Sequence, residues 1–457
     1  MSAGDLVACV DVGSTFTKAA VVDIQRGRLS GTASHRTTSE GEVLDGLDAA
    51  VAAAVTTAGG VTPGQVRACS SAGGGLRLAV VGYEALVTAR AGHMVGLSAG
   101  ARVVRVAAGR LDKAQVADLV AHRPDVVLLV GGTDGGEADT IRHNAAALSG
   151  LRIPVVLAGN VEVRDEITAL LTVAGVPVLP TDNVLPRIGE LNPGPARQAI
   201  RELFLRHVIG GKGLSRQPRF AALVRGATPD LVLAAVEVLA DGAGDVPGYG
   251  DVLVVDVGGA TTDVYSALTP DPHQGGPDRE VAGTLWRGRT VEGDLGVRIS
   301  APGIVAAALA ERLIDDAEAE QLAKAADRRA EDPAFVADDA TETAIDARLT
   351  RLAITVALRR HARGERVGPQ PAPRRGGRDL RQVRLVVGSG GVLRRLAPAQ
   401  ARALLREAVD DPAGGWPLPR DAVYAIDTRY ALAAAGLLAV DHPAVAARLL
   451  RHEITVP

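Results

Sequence analysis

The sequence predicts an α/β protein built from two strand–turn–strand units of one design, with a doubly wound parallel α/β segment inserted between them. Three observations predict it. The stretches "VACVDVGSTFTKAAVVD" at 7–23 and "VVDVGGATTDV" at 254–264 both run an apolar strand into an aspartate and a glycine-containing polar turn, then into a second strand. Residues 76–190 alternate short apolar strands with helical stretches at the spacing of a parallel sheet. Apolar residues make up 47% of the chain but aromatics only 2%, so the cores are built from Ala, Val and Leu, which suits helices laid on Val-rich parallel strands.

Taken in order, residues 5–37 read as strands, "LVACVDVG", "TKAAVVDI" and "GTASHRTT". Residues 42–58 carry Val43, Leu47 and Val51 at helical spacing. "QVRACSSAGGG" is a strand that ends in a Gly-rich turn, and it closes a first half at 1–75. Over 76–190, strands at "LRLAVVGY", "ARVVRVA", "DVVLLVGG", "IPVVLAGN" and "PVLPTDN" alternate with helices at "EALVTARAGHMVGLSAG", "KAQVADLVAHR", "EADTIRHNAAAL" and "VRDEITALLTVAG". Residues 191–250 form a connection that is mostly helical over 194–245. The second half, 251–457, opens on the second strand–turn–strand and is helical from 300 to about 358. An Arg-, Pro- and Gly-rich exposed loop near 359–381 follows, its Arg cluster read as a solvated face. The half ends with the strand–turn–helix "QVRLVVGSGGVLRRL" and the strand–helix "DAVYAIDTRYALAAAGLLAV".

Charge and cysteine content exclude several functions. With 50 basic and 53 acidic residues the net charge is −3, which gives no electrostatic footprint for nucleic acid, and the scarcity of aromatics removes base-stacking platforms. Two cysteines, Cys9 and Cys69, rule out a disulfide framework or a Cys-rich metal site and read as buried free thiols. No leader pattern and no apolar run of transmembrane length is visible, so the expectation is a soluble cytoplasmic protein with no membrane partner.

The first turn holds Asp11, Gly13, Ser14, Thr15, Thr17 and Lys18 together. A plain hairpin needs only Asn-Gly or Gly-Gly. A carboxylate, hydroxyls, a cation and exposed backbone N–H groups are the parts of a phosphate and metal site. The second turn repeats the logic about 245 residues on: Asp256 ends a strand, Gly258 and Gly259 admit an anion to the backbone, Thr261 and Thr262 add hydroxyls, and Asp263 adds a carboxylate. The expectation is a Mg-triphosphate held by the two turns, with Asp11 and Asp256 holding Mg²⁺ through water. "VVGSGGVL", with Gly388, Ser389, Gly390 and Gly391, is a Gly-rich turn suited to lie flat against a nucleoside.

In order and spacing, "DVGSTFTK", "VVDVGGATTDV", "VVGSGGVL" and "YAIDTRYALAAAGLLA" resemble the phosphate-1, phosphate-2, adenosine and second connecting motifs of the actin/Hsp70/sugar-kinase ATPase superfamily. "SSAGGGLRLAVVG", "PDVVLLVGGTDGG", "IPVVLAGN", "NVLP" and "RTVEGDLGVR" narrow the resemblance to the GlmL/MutL family, which is unrelated to the mismatch-repair protein of the same name. The resemblance covers nearly the whole chain. It implies duplicated actin-like (ribonuclease H-like) ATPase domains with an inserted doubly wound α/β domain, and ATP and Mg²⁺ as ligands. It also implies an accessory or reactivating role towards subunits of an adenosylcobalamin-dependent mutase such as glutamate (methylaspartate) mutase. Such a factor is a slow ATPase, with a homodimer as a further expectation. A small-molecule kinase and a nucleotide-binding scaffold remain the alternatives; an iron–sulfur ATPase is set aside because Cys9 and Cys69 are poorly placed for an interface cluster.

Three further stretches have two readings each. "GGTDGG" at 131–136 fits an anion or partner contact at a helix start, or a tight turn that needs glycine. Glu292 or Asp294 fits a residue that positions the attacking water, or a solvated carboxylate. "DPHQGG" at 271–276 matches a cobalamin lower-ligand signature, but it lies in a Pro-rich connection rather than in a βαβ unit, so His273 is not expected to ligate cobalt and no bound cobalamin is expected.

Overall fold

The computed structural model describes residues 3–455 apart from 39–40, 73–75, 86, 209–214, 216, 271–284, 367–373, 376 and 412–413. The chain forms two compact units. The first comprises the described residues of Met1–Val22, Ser30–Leu233 and Pro270–Gly288; the second those of Asp23–Leu29, Ala234–Thr269 and Arg289–Pro457.

The first unit is laid out on two sheets. It opens with β1 (Leu6–Val12), β2 (Phe16–Asp23), β3 (Arg28–Arg36), α1 (Val43–Thr57) and β4 (Gln65–Ser70). All seven residues of β1 are buried, as a continuous apolar run requires of a central strand. The Glu42 carboxylate accepts from the Leu44 N–H at the start of α1, and the helix turns Val43, Leu44, Leu47, Ala50 and Ala54 inward. Then come β5 (Arg77–Gly82), α2 (Thr88–Ser98), β6 (Arg102–Ala108), α3 (Lys113–Ala121), β7 (Val126–Leu129), α4 (Asp139–Leu148), β8 (Val155–Leu157), α5 (Arg164–Val173) and β9 (Val178–Pro180). These five strands form one all-parallel sheet in the order β6-β5-β7-β8-β9. Its chain order is 2-1-3-4-5, a doubly wound arrangement. One core joins Val10 and Leu47 to Leu78, Leu128 and Phe220; a second packs Leu129, Ile141, Ile167 and Leu171 on the opposite face of the parallel sheet.

After β9 the chain runs through α6 (Pro193–Leu203) and α7 (Pro218–Leu223) to β10 (Val224–Ala227) and α8 (Thr228–Asp241). The connection read as mostly helical thus carries a strand. β10 pairs in parallel with β4 and completes a five-stranded sheet of order β10-β4-β1-β2-β3. "VRGA" has neither period-2 alternation nor a β-branched run; pairing with β4 makes it a strand.

The second unit contains a short hairpin of β11 (Gly242–Ala243) and β12 (Val246–Pro247), then β13 (Val252–Val257), β14 (Thr262–Ala267), β15 (Arg287–Glu292), α9 (Ala301–Ala310), α10 (Asp316–Glu331) and α11 (Ala340–Arg363). A hairpin of β16 (Glu365–Arg366) and β17 (Arg374–Arg375), β18 (Leu385–Gly390), α12 (Gly391–Arg395), α13 (Pro398–Val409), β19 (Val423–Ile426), α14 (Ala431–Ala439) and α15 (Pro443–Glu453) complete it. Its sheet has the order β19-β18-β13-β14-β15, with β13 antiparallel to β14 and parallel to β18, and β18 parallel to β19. Position for position this is the order of the first sheet. The duplicated α/β fold with an inserted doubly wound sheet is therefore present, and the insertion falls between the fourth and fifth strands of the first sheet.

One expectation on the basic segment is corrected. Helix α11 runs to Arg363, held at its start by Asp339, which accepts from the Glu342 N–H, and followed by Gly364 at φ +69°. Arg359, Arg360 and Arg363 are thus its last turn rather than a solvated loop. Arg359 is buried and bonded to Asp411 and Glu311; Arg360 and Arg363 are ion-paired.

Candidate functional site

In the first unit Asp11 lies near the end of β1, 7% exposed. Its Oδ2 accepts from Lys18 Nζ at 3.3 Å, and its Oδ1 from Thr228 Oγ1 at 2.7 Å. Cys69, its register partner on β4, reaches the same Oδ1 with Sγ at 3.7 Å. Burial, with the Asp11 charge next, pushes the Cys69 thiol well above its usual range, and burial pushes Cys9 up to about 12. Their burial favours the neutral thiol over the thiolate. Gly13, Ser14 and Thr15 form the turn. The Gly13 N–H donates to the Phe16 carbonyl, and a Cβ at Gly13 would lie 2.7 Å from that oxygen, so glycine is required. Thr17 is fully buried and its hydroxyl is spent on Thr37.

The second unit repeats the backbone bond of this turn. The Gly258 N–H donates to the Thr261 carbonyl, again three residues on, and a Cβ at Gly258 would meet that oxygen at 3.0 Å. Thr262, fully buried like Thr17, donates to the Leu295 carbonyl. Asp256 stands where Asp11 stands, and Asp263 where Lys18 stands. The neighbours therefore differ in sign. Asp11 faces a cation; Asp256 faces Asp263, its cross-strand register partner. Asp263 is buried and held by Arg289 Nε at 2.6 Å and by Thr261 Oγ1 at 3.0 Å. Burial raises its proton affinity, Arg289 works against this, and Asp256 adds to it. Asp256 is only half-buried and has no hydrogen-bond partner among the described residues.

β18 brings the third motif beside it. Ser389 is the parallel register partner of Asp256, and Gly390 (φ +125°) lets the strand press on β13, where a Cβ would come within 2.3 Å of the Val257 carbonyl oxygen. Gly391 starts α12 with nothing within 4 Å of where a Cβ would be. Arg394 donates to Ser389 Oγ at 3.2 Å and to the Asp427 carbonyl at 3.0 Å, and its guanidinium stacks 3.7 Å from the Tyr430 ring centroid. Tyr430 is in the left-handed region, φ 62°, just before α14, whose first N–H groups, those of Ala431 and Leu432, donate to the Asp427 carboxylate. Asp256, Gly258, Gly259, Thr261, Gly388, Ser389, Gly390 and Gly391 thus lie together at or beyond the carboxyl ends of parallel strands, where open α/β sheets bind ligands. Arg394 and Thr228 are the additions that reading the motifs missed; Thr228 reaches Asp11 only through the return of β10.

The three stretches with two readings are placed as follows. The "GGTDGG" turn is filled by the protein itself. Asn183 Nδ2 donates to the Gly132 carbonyl and to Asp134, Asn160 Nδ2 donates to the Gly136 carbonyl, and the Glu137 carboxylate already accepts from the Thr140 N–H at the start of α4. A carboxylate of the protein itself therefore sits at the N-terminal end of α4, where negative charge is favoured. Glu292 and Asp294 both bind Arg360. Burial opposes charge on Asp294, but the Arg360 bonds outweigh it and hold its pKa below the usual range. His273 lies outside the described residues. No group of metal-ligating side chains occurs among the described residues, and no helix there is long and apolar enough to cross a membrane.

Two equivalent sheets, each with an Asp–Gly hairpin at the same place, define a duplicated α/β protein of the actin-like class. The chain belongs to the family described as "MutL protein", which it matches over residues 7–454. It is 35% identical over 460 residues to Protein MutL of Clostridium tetanomorphum, across 98% of each chain. Among solved structures it is similar to a nucleotide-free acetone carboxylase (13% identity, TM-score 0.38, 96% of this chain and 70% of that one). It is also similar to xylulose kinase from Bifidobacterium adolescentis (13%, 0.34, 100% and 95%) and to a glycerol dehydratase reactivase (13%, 0.31, 95% and 99%). Likenesses this loose add nothing to what the strand order shows.

Proposed function

We propose that this chain is an ATP-dependent accessory factor that reactivates an adenosylcobalamin-dependent mutase, the glutamate (methylaspartate) type being the client the resemblance implies. The observation that carries the nucleotide part is the repeated hairpin, Gly13 N–H to Phe16 and Gly258 N–H to Thr261, each behind a strand-end aspartate. The donor set fits Mg-ATP. In the second unit Asp256 has lone pairs for a hydrated Mg²⁺ and Gly391, with nothing within 4 Å of a Cβ position, leaves open backbone beside Ser389; in the first unit Lys18 supplies a phosphate cation next to Asp11. ATP would bring the two-state chemistry: its γ-phosphate and Mg²⁺ hold one conformation and hydrolysis releases it. Family membership is what points the output to a mutase. Loss of the radical strands a damaged cofactor in such an enzyme, and a partner that prefers one nucleotide state can open it for exchange.

The test begins with affinity capture on the chain loaded with ATP or with ADP. A cobalamin-dependent mutase subunit is expected on the resin in one state and not the other. Added to that mutase after inactivation, with Mg-ATP and fresh adenosylcobalamin, the chain is expected to restore activity. No state-dependent mutase, together with phosphorylation of a small acid or sugar in a metabolite extract, would replace this reading with a kinase.

A further inference from the structure

The stretch "GATPDLV" at 226–232 lays the last strand of the first sheet and starts α8. Pro229 in the first turn suits a helix start, and Asp230 in that turn is favoured by the helix dipole. Neither fact explains the two contacts made there. Thr228 gives its hydroxyl proton to Asp11 Oδ1 at 2.7 Å. Asp230, 1% exposed, is gripped by two cations of α6: Arg201 Nε at 2.5 Å from Oδ2, and the Arg197 guanidinium at 3.5 Å from Oδ1. Arg197 and Arg201 stand one helical turn apart, so both bear on one carboxylate. From the other side the turn after α2 presses on the same helix start; a Cβ at Gly100 would lie 2.7 Å from the Asp230 nitrogen.

α6 is the last helix before β10 to pack on the inserted parallel sheet, touching β7, β8, β9 and α2. The residue that completes the surroundings of Asp11 is therefore delivered by the strand that returns from the insertion. It is fixed in place by an ion pair to the insertion's own helix. The Asp230 carboxylate is buried, so drawing it away from its cations strands a charge away from water. The link between Asp11 and α6 is short and stiff: hydroxyl, two residues of helix, carboxylate, guanidinium.

We infer that Thr228 is a positioning residue for Asp11, and that the Asp230–Arg201 pair beside it makes the seat of Asp11 depend on α6 and so on the inserted sheet. This rests on the ATPase reading and extends it: what binds at the first hairpin is felt in the inserted module, and by linkage a partner held by that module changes nucleotide affinity in return.

The experiment compares wild type, Thr228→Val and Thr228→Ser in the full chain. Mg-ATP hydrolysis is measured for kcat and KM, and hydrogen exchange of residues 193–203 is measured with ATP and with ADP. Thr228→Val is expected to lower kcat by about tenfold while moving KM less than about threefold, since it displaces a group used in the chemistry more than in binding. Thr228→Ser keeps the hydroxyl and is expected to stay near wild type. Wild type is expected to show slower exchange over 193–203 in one nucleotide, and Thr228→Val to lose that difference. Wild-type kinetics in Thr228→Val, or exchange over 193–203 that ignores the nucleotide in wild type, would overturn the inference. A wild-type chain that neither binds nor hydrolyses ATP overturns the ATPase reading with it, so the two failures are told apart.

Discussion

At the scale of single residues, duplication lets one half serve as the control for the other. Asp11 and Asp256 hold equivalent places, yet Asp11 is bonded to Lys18 and Thr228 while Asp256 has a buried carboxylate opposite it. Like charges directly across a pair of strands destabilise a sheet. Asp256→Asn is therefore expected to lower Mg-ATP turnover by about 100-fold or more, the scale of losing one well-placed charge in a phosphate site, with a melting temperature equal to wild type or slightly higher. Asp11→Asn is expected to lose turnover too, and also about 1–2 kcal/mol of stability, because it weakens charge-assisted bonds in a buried place. Turnover and thermal unfolding of both variants check this; equal stability changes in the two would contradict the contrast. Both aspartates and the glycines that follow them were legible in sequence, because the members of each turn lie within a few residues of one another. Thr228 was not. Its partner lies 217 residues away, and nothing local marks a Thr-Pro-Asp helix start as part of a site.

At the scale of elements, α11 shows why a charged run is hard to read. Its 24 residues span about 36 Å at 1.5 Å per residue, and its last turn "LRRHAR" looks like the start of the basic loop that follows. What makes that turn helical is tertiary: Arg359 closes on Asp411, Arg360 on Glu292 and Asp294, and Arg363 on Glu311. His361 sits among them fully buried, its Nδ1 at 2.8 Å from Thr290 Oγ1 on β15 and its Nε2 at 2.9 Å from Ser266 Oγ on β14. Burial, with Arg378 as the second cause, holds its pKa well below the usual imidazole range. The unfolded chain therefore takes the proton first, at about pH 6.5, and the folded chain resists it. The contribution of His361 is constant above about pH 6.5 and is lost on acidification below it, at up to about 1.4 kcal/mol per pH unit. His361→Gln, which cannot titrate, is expected to flatten the fall in denaturant midpoint between pH 7 and pH 5 relative to wild type. Parallel curves for the two proteins would show that some other group governs acid sensitivity. β10 makes the same point for strands: four residues with no pattern of their own become the fifth strand of a sheet because β4 offers an edge.

At the scale of the whole molecule, the strand order β10-β4-β1-β2-β3 is matched by β19-β18-β13-β14-β15, and an entire parallel sheet has been admitted between two strands of one copy. The duplication was readable because its hairpins are short and local. That a fifth strand of the first sheet, β10, returns after the insertion was not, because nothing in "VRGA" marks a strand. A sheet can accept so long an excursion when the two strands flanking it are neighbours, since the chain then leaves and re-enters at one spot and no ladder is broken. Two copies of one hairpin could serve two nucleotides independently or one nucleotide jointly, and linkage separates these cases. A ligand that binds only the folded chain stabilises it by RT ln(1 + [L]/Kd), about 2.7 kcal/mol at 100-fold excess over Kd. With Mg²⁺ and a non-hydrolysable ATP analogue, wild type is expected to melt a few degrees higher. Independent sites would leave part of that shift in each single variant and remove it only in the double. Loss of the whole shift in either Asp11→Asn or Asp256→Asn alone is the outcome expected if one nucleotide uses both aspartates. A half-sized shift in each single variant would instead make the chain a tandem of two sites, and the asymmetry between Lys18 and Asp263 would then describe two different ligands.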